Sequence, residues 1–137
     1  MELSESLEDY LEAILVLSGT KKVVRVKDLM NHLGYKVSSV NNAVKSLSEK
    51  GLVEHEKYGY IELTSEGTAL AEKVYEKHKN ITRFFQEVLG VSKETASKEA
   101  CRIEHVLTGE TYEKFTRFLN FIIDTPALKE FSDKNHG

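Results

Sequence analysis

Residues 25–64 restrict the fold most, because two short helix patterns are followed there by a strand pattern. Residues 25–34 (RVKDLMNHLG) form one helix pattern, and residues 37–51 (VSSVNNAVKSLSEKG) form a second that serines open and Gly51 ends. Residues 52–64 (LVEHEKYGYIELT) are rich in Val, Tyr, Ile and Thr, which predicts a β-hairpin. Two short helices followed by a hairpin indicate a winged helix-turn-helix with a two-stranded wing.

The second of these helices is narrow enough to enter the major groove of DNA. Its apolar residues Val40, Val44 and Leu47 recur three or four positions apart, which leaves a polar face for a partner. Asn can pair with an adenine edge, and Ser and Lys suit phosphates or base edges. Any one of these polar residues could equally be an ordinary surface residue, but the whole arrangement favours DNA binding. The candidate DNA-binding residues, including the wing tip, are Lys36, Ser38, Ser39, Asn41, Asn42, Lys45, Lys57 and Tyr58.

Helix patterns fill most of the remaining chain. The first carries a stripe from Leu7 to Leu15, with Ser4 or Ser6 as its N-cap. The later ones cover residues 65–90, 92–109, 110–125 and 127–131. The predicted fold is therefore mostly α, with an N-terminal winged helix-turn-helix followed by an all-helical dimerisation region. We expect a DNA-binding domain in residues 1–64 and a metal-binding and dimerisation domain in residues 65–137.

Charge distribution supports a polyanionic partner more than the net charge of −3 does. Residues 1–18 carry five acidic and no basic side chains, whereas residues 19–60 carry eight basic and four acidic ones. A basic block beside acidic flanks suits a reader of DNA. The single cysteine excludes an internal disulfide, and no apolar run reaches the roughly 20 residues of a membrane helix. With an acidic start that suits no targeting signal, we expect a cytoplasmic protein without a membrane partner.

The segment EACRIEHVLTGE, residues 99–110, holds a candidate metal site. On a continuous helix, Cys101, Glu104 and His105 fall within an arc of about 100° and leave one face together. Thiolate, carboxylate and imidazole are all ligands of first-row transition metals. The sequence contains no Ser or Lys nucleophile pattern and no phosphate-binding loop. We therefore expect no enzyme activity and no organic substrate.

Three further residues could complete the site if their helices pack together. His78 lies on an apolar stripe, and Asp9 and Glu12 are three residues apart on the first helix. The spacing leaves other roles open for the whole set. His78 could be a buried, hydrogen-bonded histidine, Asp9 part of a capping box with Ser6, and Glu12 a surface acid. Cys101 could be a small core residue and Glu104 an ion-pair partner of a nearby base.

Four motifs make essentially the whole chain resemble the metal-dependent transcriptional repressors typified by the diphtheria toxin repressor and the manganese transport regulators. They are LEDYLEAIL, VSSVNNAVKSLSEKGLVEHEKYGYIELTSEG, HKNITRFF and EACRIEHVL, of which the last is the most specific. The resemblance implies a homodimer that binds a double-stranded operator when metal is bound. It also implies a repressor of metal-homeostasis genes in which metal favours the DNA-competent arrangement.

The resemblance also implies a hybrid set of ligands. Cys101 matches the iron-type branch, whereas Asp9 and Glu12 match the manganese-type branch. The ligands common to both branches correspond to His78, Glu104 and His105. Thiolate favours Fe(II), Co(II) or Zn(II), and the added carboxylates favour Mn(II) or Fe(II). We therefore expect a divalent transition metal, with Fe(II) first, Mn(II) second, and Zn(II) or Co(II) possible in vitro.

The chain departs from the family in several places. Thr82 and Ser97 stand where the iron branch has a glutamate and a histidine in an ancillary site, and Val37 stands where many relatives have proline. The operator sequence therefore does not transfer, and the C-terminal SH3-like domain of longer members is not expected. The main alternative is a metal-independent winged-helix regulator that senses another ligand. A metalloenzyme or thiol enzyme ranks below both readings, because six candidate ligands leave little room for a substrate.

Overall fold

The computed structural model describes residues 3–56 and 59–134, and their fold is mostly helical, as predicted. The chain divides into two compact units, Met1–Tyr75 and Glu76–Gly137. The predicted domain boundary after residue 64 stays a prediction. The elements are α1 (Glu5–Ser18), β1 (Val24–Arg25), α2 (Val26–Leu33), α3 (Val37–Glu49), β2 (Val53–His55), β3 (Tyr60–Leu63), α4 (Ser65–Arg83), a π-helical turn (Phe84–Val88), α5 (Lys93–Ile103), α6 (Gly109–Ile122) and α7 (Pro126–Lys134).

The first unit is the predicted winged helix-turn-helix. The hydroxyl of Ser4 accepts the N–H of Leu7 at 3.2 Å and caps α1, so the capping box of Ser6 with Asp9 is wrong. Gly34 ends α2 in the left-handed region at φ 75°, where a side chain would be strained. The buried core of this unit includes Leu11, Ile14, Leu29, Val40, Leu47 and Ile61.

The wing is a small antiparallel sheet. Strands β2 and β3 pair with His55 opposite Ile61, as the hairpin prediction requires. Strand β1 adds to the other side of β3, with Val24 opposite Ile61 and Arg25 opposite Tyr60, so the strand order among the described residues is β1-β3-β2. This third strand was not predicted, because two residues are too few to show the alternation of a strand.

The start of α3 differs from the prediction. Lys36 is its N-cap and makes no side-chain cap hydrogen bond, and Val37 is already the first helical residue. The serines that follow therefore lie inside the first turn and do not cap it. The helix still buries Val40 and Val44 on one face, so the prediction of its polar face does not depend on the cap.

The second unit is helical, with two corrections to the predicted boundaries. The helix predicted for residues 65–90 changes to a π-helical turn at Phe84, whose ring packs 5.0 Å from that of Phe115. The helix predicted for residues 92–109 ends at Ile103, because the hydroxyl of Thr108 accepts the N–H of Thr111 at 3.2 Å and starts α6. A separate small core contains Val88, Leu119 and Leu128.

No helix within residues 3–56 and 59–134 has the length and apolar character needed to cross a membrane.

Candidate metal centre and DNA-binding surface

The end of α5 carries the three residues of the Cys-x-x-Glu-His motif. Cys101 lies in the last turn, Glu104 is the C-cap, and His105 follows in the turn beyond. The continuous helical face expected for all three is therefore wrong, but the tight turn keeps them together. One possible ligand atom from each of these residues lies within 4.8 Å of those from the other two. Sulfur, carboxylate oxygen and imidazole nitrogen together suit a first-row transition metal.

Glu104 is the centre of this group. Its side chain has 0% exposure, and Oε2 lies 2.9 Å from Nδ1 of His78. Oε1 lies 3.4 Å from Nε2 of His105 and accepts no hydrogen bond within residues 3–56 and 59–134. Burial of a carboxylate is costly unless hydrogen bonds or opposite charge compensate it. A divalent cation beside Oε1 would supply that charge, so the donor set fits a metal.

His78 lies on α4 and reaches the same carboxylate from another helix. Its side chain is 18% exposed, which agrees with a position on the inner side of the helix. Nδ1 faces Glu104, and Nε2 lies 3.3 Å from Oγ of Ser97 on α5. The contact with Ser97 was not predicted from the sequence. The signal available was the spacing from Ser97 to Cys101, since residues four apart share one face of a helix.

Asp9 and Glu12 lie on α1 in the first unit, and each is partly exposed. Their neighbours Tyr10, Leu11 and Ala13 are buried, so the acidic side chains stand beside the apolar stripe of the helix. Carboxylates at this spacing are neighbours on a helix surface. The prediction that they share a metal with Cys101, Glu104 and His105 stays a prediction.

The polar face of α3 is available for a partner. Val40, Ala43, Val44 and Leu47 are buried, and the candidate contacts point the other way. Ser39 is partly exposed, and the exposed candidates are Lys36, Ser38, Asn41, Asn42 and Lys45. Lys57 and Tyr58, predicted for the wing tip, lie outside the described residues. Contact of any of these residues with DNA stays a prediction.

One cationic feature near the wing was missed from the sequence. The guanidinium of Arg25 stacks over the ring of Tyr60 at 4.9 Å and donates to its hydroxyl at 3.3 Å. Strand β1 creates this contact by pairing Arg25 with Tyr60. Because the strand itself was not predicted, no sequence signal placed the two side chains together.

Two family models match consecutive parts of the chain. Residues 2–61 match the iron dependent repressor, N-terminal DNA binding domain. Residues 64–130 match the iron dependent repressor, metal binding and dimerisation domain. Together the two matches cover most of the sequence and both of its predicted regions.

Known transcriptional regulators are also similar to this chain over most of its length. The chain is 40% identical over 118 residues to an uncharacterized HTH-type transcriptional regulator of Methanocaldococcus jannaschii, covering 85% of this chain and 94% of that one. It is 30% identical over 134 residues to the HTH-type transcriptional regulator MntR of Geobacillus kaustophilus, covering 95% and 94%. A solved manganese-dependent transcriptional repressor in complex with manganese is similar at a TM-score of 0.77 and 26% identity. That match covers 84% of this chain and 53% of the solved one, so the chain spans about half of its length.

Proposed function

Because this chain belongs to the iron-dependent repressor family, we propose that it is a metal-responsive repressor that binds operator DNA as a homodimer and controls metal-homeostasis genes. The family consists of DNA-binding transcriptional regulators and not of enzymes. The observation that carries the proposal is the buried Glu104 carboxylate, with His78 on one oxygen and His105 beside the other. A divalent cation would compensate this buried charge, which favours a regulator that senses metal.

The metal would be held by Cys101, Glu104 and His105, and we propose Asp9 and Glu12 as the source of further oxygen ligands. His78 on α4 is proposed as the sixth ligand, since its Nδ1 lies 2.9 Å from Oε2 of Glu104 and the two residues belong to one group of possible ligands. One thiolate and several carboxylates make Fe(II) the first candidate and Mn(II) the second, since Fe(II) accepts both kinds of donor. Zn(II) and Co(II) would bind in vitro for the same reason.

Metal binding would act on the acidic first helix. Residues 1–18 carry five acidic and no basic side chains, so bringing Asp9 and Glu12 near Glu104 costs electrostatic repulsion. When bound, a divalent metal supplies the positive charge that removes this cost. The ion would therefore favour the arrangement in which the first helix joins the site, and that arrangement would be the one competent for DNA.

Helix α3 would read the operator. The exposed amides of Asn41 and Asn42 suit base edges, and the ammonium groups of Lys36 and Lys45 suit phosphates. The buried face of the helix holds it on the core of the first unit. This division of roles predicts base specificity from the asparagines and salt dependence from the lysines.

Exposed apolar side chains in the second unit support a homodimer. Phe121 and Val106 keep 73% and 72% of their surfaces exposed, and Phe118 on the same helix as Phe121 is half exposed. Large exposed apolar residues are unfavourable in water unless a partner covers them. The family model for residues 64–130 describes dimerisation, so we propose a second copy of this chain as the partner.

The test is DNA binding as a function of metal. Protein stripped with chelator would be titrated anaerobically with Fe(II), Mn(II), Zn(II) or Mg(II) at fixed salt, with a labelled duplex from the DNA upstream of its own gene. Fluorescence anisotropy would report binding, and sedimentation would report the mass of the complex. We expect binding only with a transition metal, at two chains per site. Equally tight binding without metal would reject the proposal and favour a metal-independent regulator.

A further inference from the structure

We propose that Arg25 binds one phosphate of the operator DNA and that Tyr60 is the positioning residue that holds its guanidinium for this contact. The inference rests on the proposed function, because it concerns the same DNA. It adds a contact from strand β1 to those expected from α3 and the wing tip. It also gives Tyr60 a role in DNA binding that acts entirely through another side chain.

Strand pairing brings the two side chains together. Arg25 ends β1 and lies opposite Tyr60, which begins β3 directly after the turn of the wing. Cζ of the arginine lies 4.9 Å from the centroid of the tyrosine ring, and Nη2 donates to the tyrosine hydroxyl at 3.3 Å. The tyrosine is partly buried and the arginine is exposed. The ring is therefore a fixed support, and the guanidinium on it remains accessible to a partner.

The positive charge of Arg25 is not matched by a carboxylate of the protein. Within the described part of the chain, its guanidinium forms no ion pair. The carboxylate of Asp28 accepts the backbone N–H of Arg25 at 2.9 Å and pairs instead with the ammonium of Lys21 at 3.3 Å. Residues 19–27 carry four basic and no acidic side chains. A partner with regularly spaced negative charges, such as DNA, fits this surface.

The contact with Tyr60 prepares the arginine for a phosphate. A guanidinium is planar, and its edge donates two parallel hydrogen bonds that match the oxygens of a phosphate. The tyrosine ring covers one face and its hydroxyl engages Nη2, so the other donors at the edge keep one orientation. A long side chain that is already held loses less conformational entropy on binding. Tyr60 should therefore increase the affinity that Arg25 contributes.

A phosphate contact at the wing has a different consequence from a base contact. Phosphate contacts fix the orientation of a protein on the duplex but carry no sequence information. Arg25 should therefore strengthen binding to the operator and to an unrelated duplex by the same factor, in contrast to Asn41 and Asn42. The competing explanation is that the pair only ties β1 to β3. That role would change the stability of the first unit and leave the salt dependence of DNA binding unchanged.

The first measurement is the salt dependence of binding to both duplexes, by fluorescence anisotropy, with transition metal and in chelator. We expect Arg25→Gln to weaken binding to both and to reduce the slope of log K against log salt by about 0.9, the value for one phosphate. Lys129→Gln removes the same charge from an exposed position on α7 and should keep the wild-type slope. A wild-type slope in Arg25→Gln would overturn the inference, whatever its thermal stability.

The second measurement asks whether Tyr60 acts through Arg25. Tyr60→Leu removes the ring, whereas Tyr60→Phe keeps the ring without the hydroxyl. We expect Tyr60→Leu to weaken DNA binding by about 2- to 5-fold, the range of an exposed cation–π contact, and Tyr60→Phe to restore most of the affinity. In the Arg25→Gln background, Tyr60→Leu should cause no further loss. An equal loss in both backgrounds would overturn the positioning role.

The third measurement identifies the phosphate. Operator duplexes that carry one neutral methylphosphonate at successive positions would be titrated with the wild type and with Arg25→Gln. We expect one position in each half-site to weaken binding of the wild type and to leave Arg25→Gln unaffected. If every position affects the two proteins equally, Arg25 contacts no phosphate.

These results are separable from the test of the proposed function. Equally tight binding with metal and in chelator would reject the metal-responsive repressor. The salt slopes and the methylphosphonate positions would still decide the role of Arg25, because a phosphate contact does not require metal. A wild-type protein that binds neither duplex, even at low salt, would overturn both proposals.

Discussion

Oε1 of Glu104 lies 3.4 Å from Nε2 of His105, on a side chain that has no exposed surface. The oxygen accepts no hydrogen bond within the described part of the chain. An uncompensated buried carboxylate oxygen lowers the stability of the metal-free protein. A divalent cation would stabilise this same oxygen. Removing the charge of Glu104 should therefore lower the affinity for metal without lowering the stability of the metal-free protein.

Glu104→Gln tests this opposition. The amide has nearly the same shape but no charge, so we expect loss of metal affinity greater than the roughly 10- to 100-fold that follows loss of an outer partner. In chelator, its free energy of unfolding should equal or exceed that of the wild type. Thermal unfolding with and without Co(II) measures both, since a ligand stabilises only the state that binds it. Glu94→Gln, exposed on α5, is the control and should behave as the wild type. A Glu104→Gln protein that keeps its metal-induced stabilisation would contradict the ligand role.

Cys101 should set the preference among metals. Cys101→Asp replaces a soft thiolate by a hard carboxylate, so the ratio of Mn(II) to Co(II) affinity should rise. Cys101→Ser removes the thiolate without adding a carboxylate and should lose affinity for both ions. Competition titrations against a metal-binding dye measure the two affinities. If the Mn(II)-to-Co(II) ratio is the same in all three proteins, Cys101 is not a ligand.

The periodicity of the apolar residues predicted most of the fold, because the strong helix patterns of this sequence coincide with observed helices. The helices α1, α2, α3 and α6 lie where the apolar spacing predicted them. The predicted helix boundaries are wrong where a local contact overrides the periodicity. At Thr108 a side-chain cap begins a new helix and ends the predicted one early, and at Phe84 aromatic packing accompanies a change of helix type. Neither contact leaves a signal in a period of 3.6 residues.

The grouping of three candidate ligands followed from the sequence, whereas their contacts with other side chains did not. The Cys-x-x-Glu-His spacing put Cys101, Glu104 and His105 together even though the helix ends among them. The pairing of His78 with Glu104 and Ser97 depends on how α4 packs on α5, which the sequence pattern does not contain. A contact such as that of Ser97 with His78 has no motif of its own in the sequence.

Lys45 and Asn42 should affect DNA binding in different ways. Lys45→Ala should lower affinity for all sequences and reduce the slope of log K against log salt by about 0.9, the value for one phosphate contact. Asn42→Ala should instead reduce discrimination at one base pair by about 1–3 kcal/mol with an unchanged slope. Anisotropy titrations at several salt concentrations measure both effects. Lys129→Ala, exposed on α7, is the control. An unchanged slope in Lys45→Ala would argue against a phosphate contact.

Asp28 should make the first unit sensitive to acid. Burial acts to raise the pKa of its carboxyl, but the N–H of Arg25 at 2.9 Å and the ammonium of Lys21 at 3.3 Å outweigh this, and the pKa is lowered. A lowered folded-state pKa adds stability above the unfolded value of about 3.9, and that stability is lost as the pH falls through the folded value. Asp28→Asn should therefore be less stable than the wild type at neutral pH, and the difference should shrink towards about pH 3. Urea unfolding at both pH values measures it, and a difference independent of pH would contradict the assignment. In Lys21→Ala the pH dependence should be smaller.

Gly67 should not tolerate a side chain. A Cβ added there would lie 1.9 Å from the carbonyl oxygen of Leu52, and that oxygen is already held by the N–H of Thr64 at 3.0 Å. The backbone would have to shift, so we expect Gly67→Ala to lose about 1–3 kcal/mol in the free energy of unfolding despite the higher helix propensity of alanine. Gly109→Ala is the matched control, because a Cβ there meets no atom of the described residues within 4 Å. Urea denaturation in chelator separates the two, and Gly67→Ala at or above wild-type stability would show that Leu52 and α4 can move apart without cost.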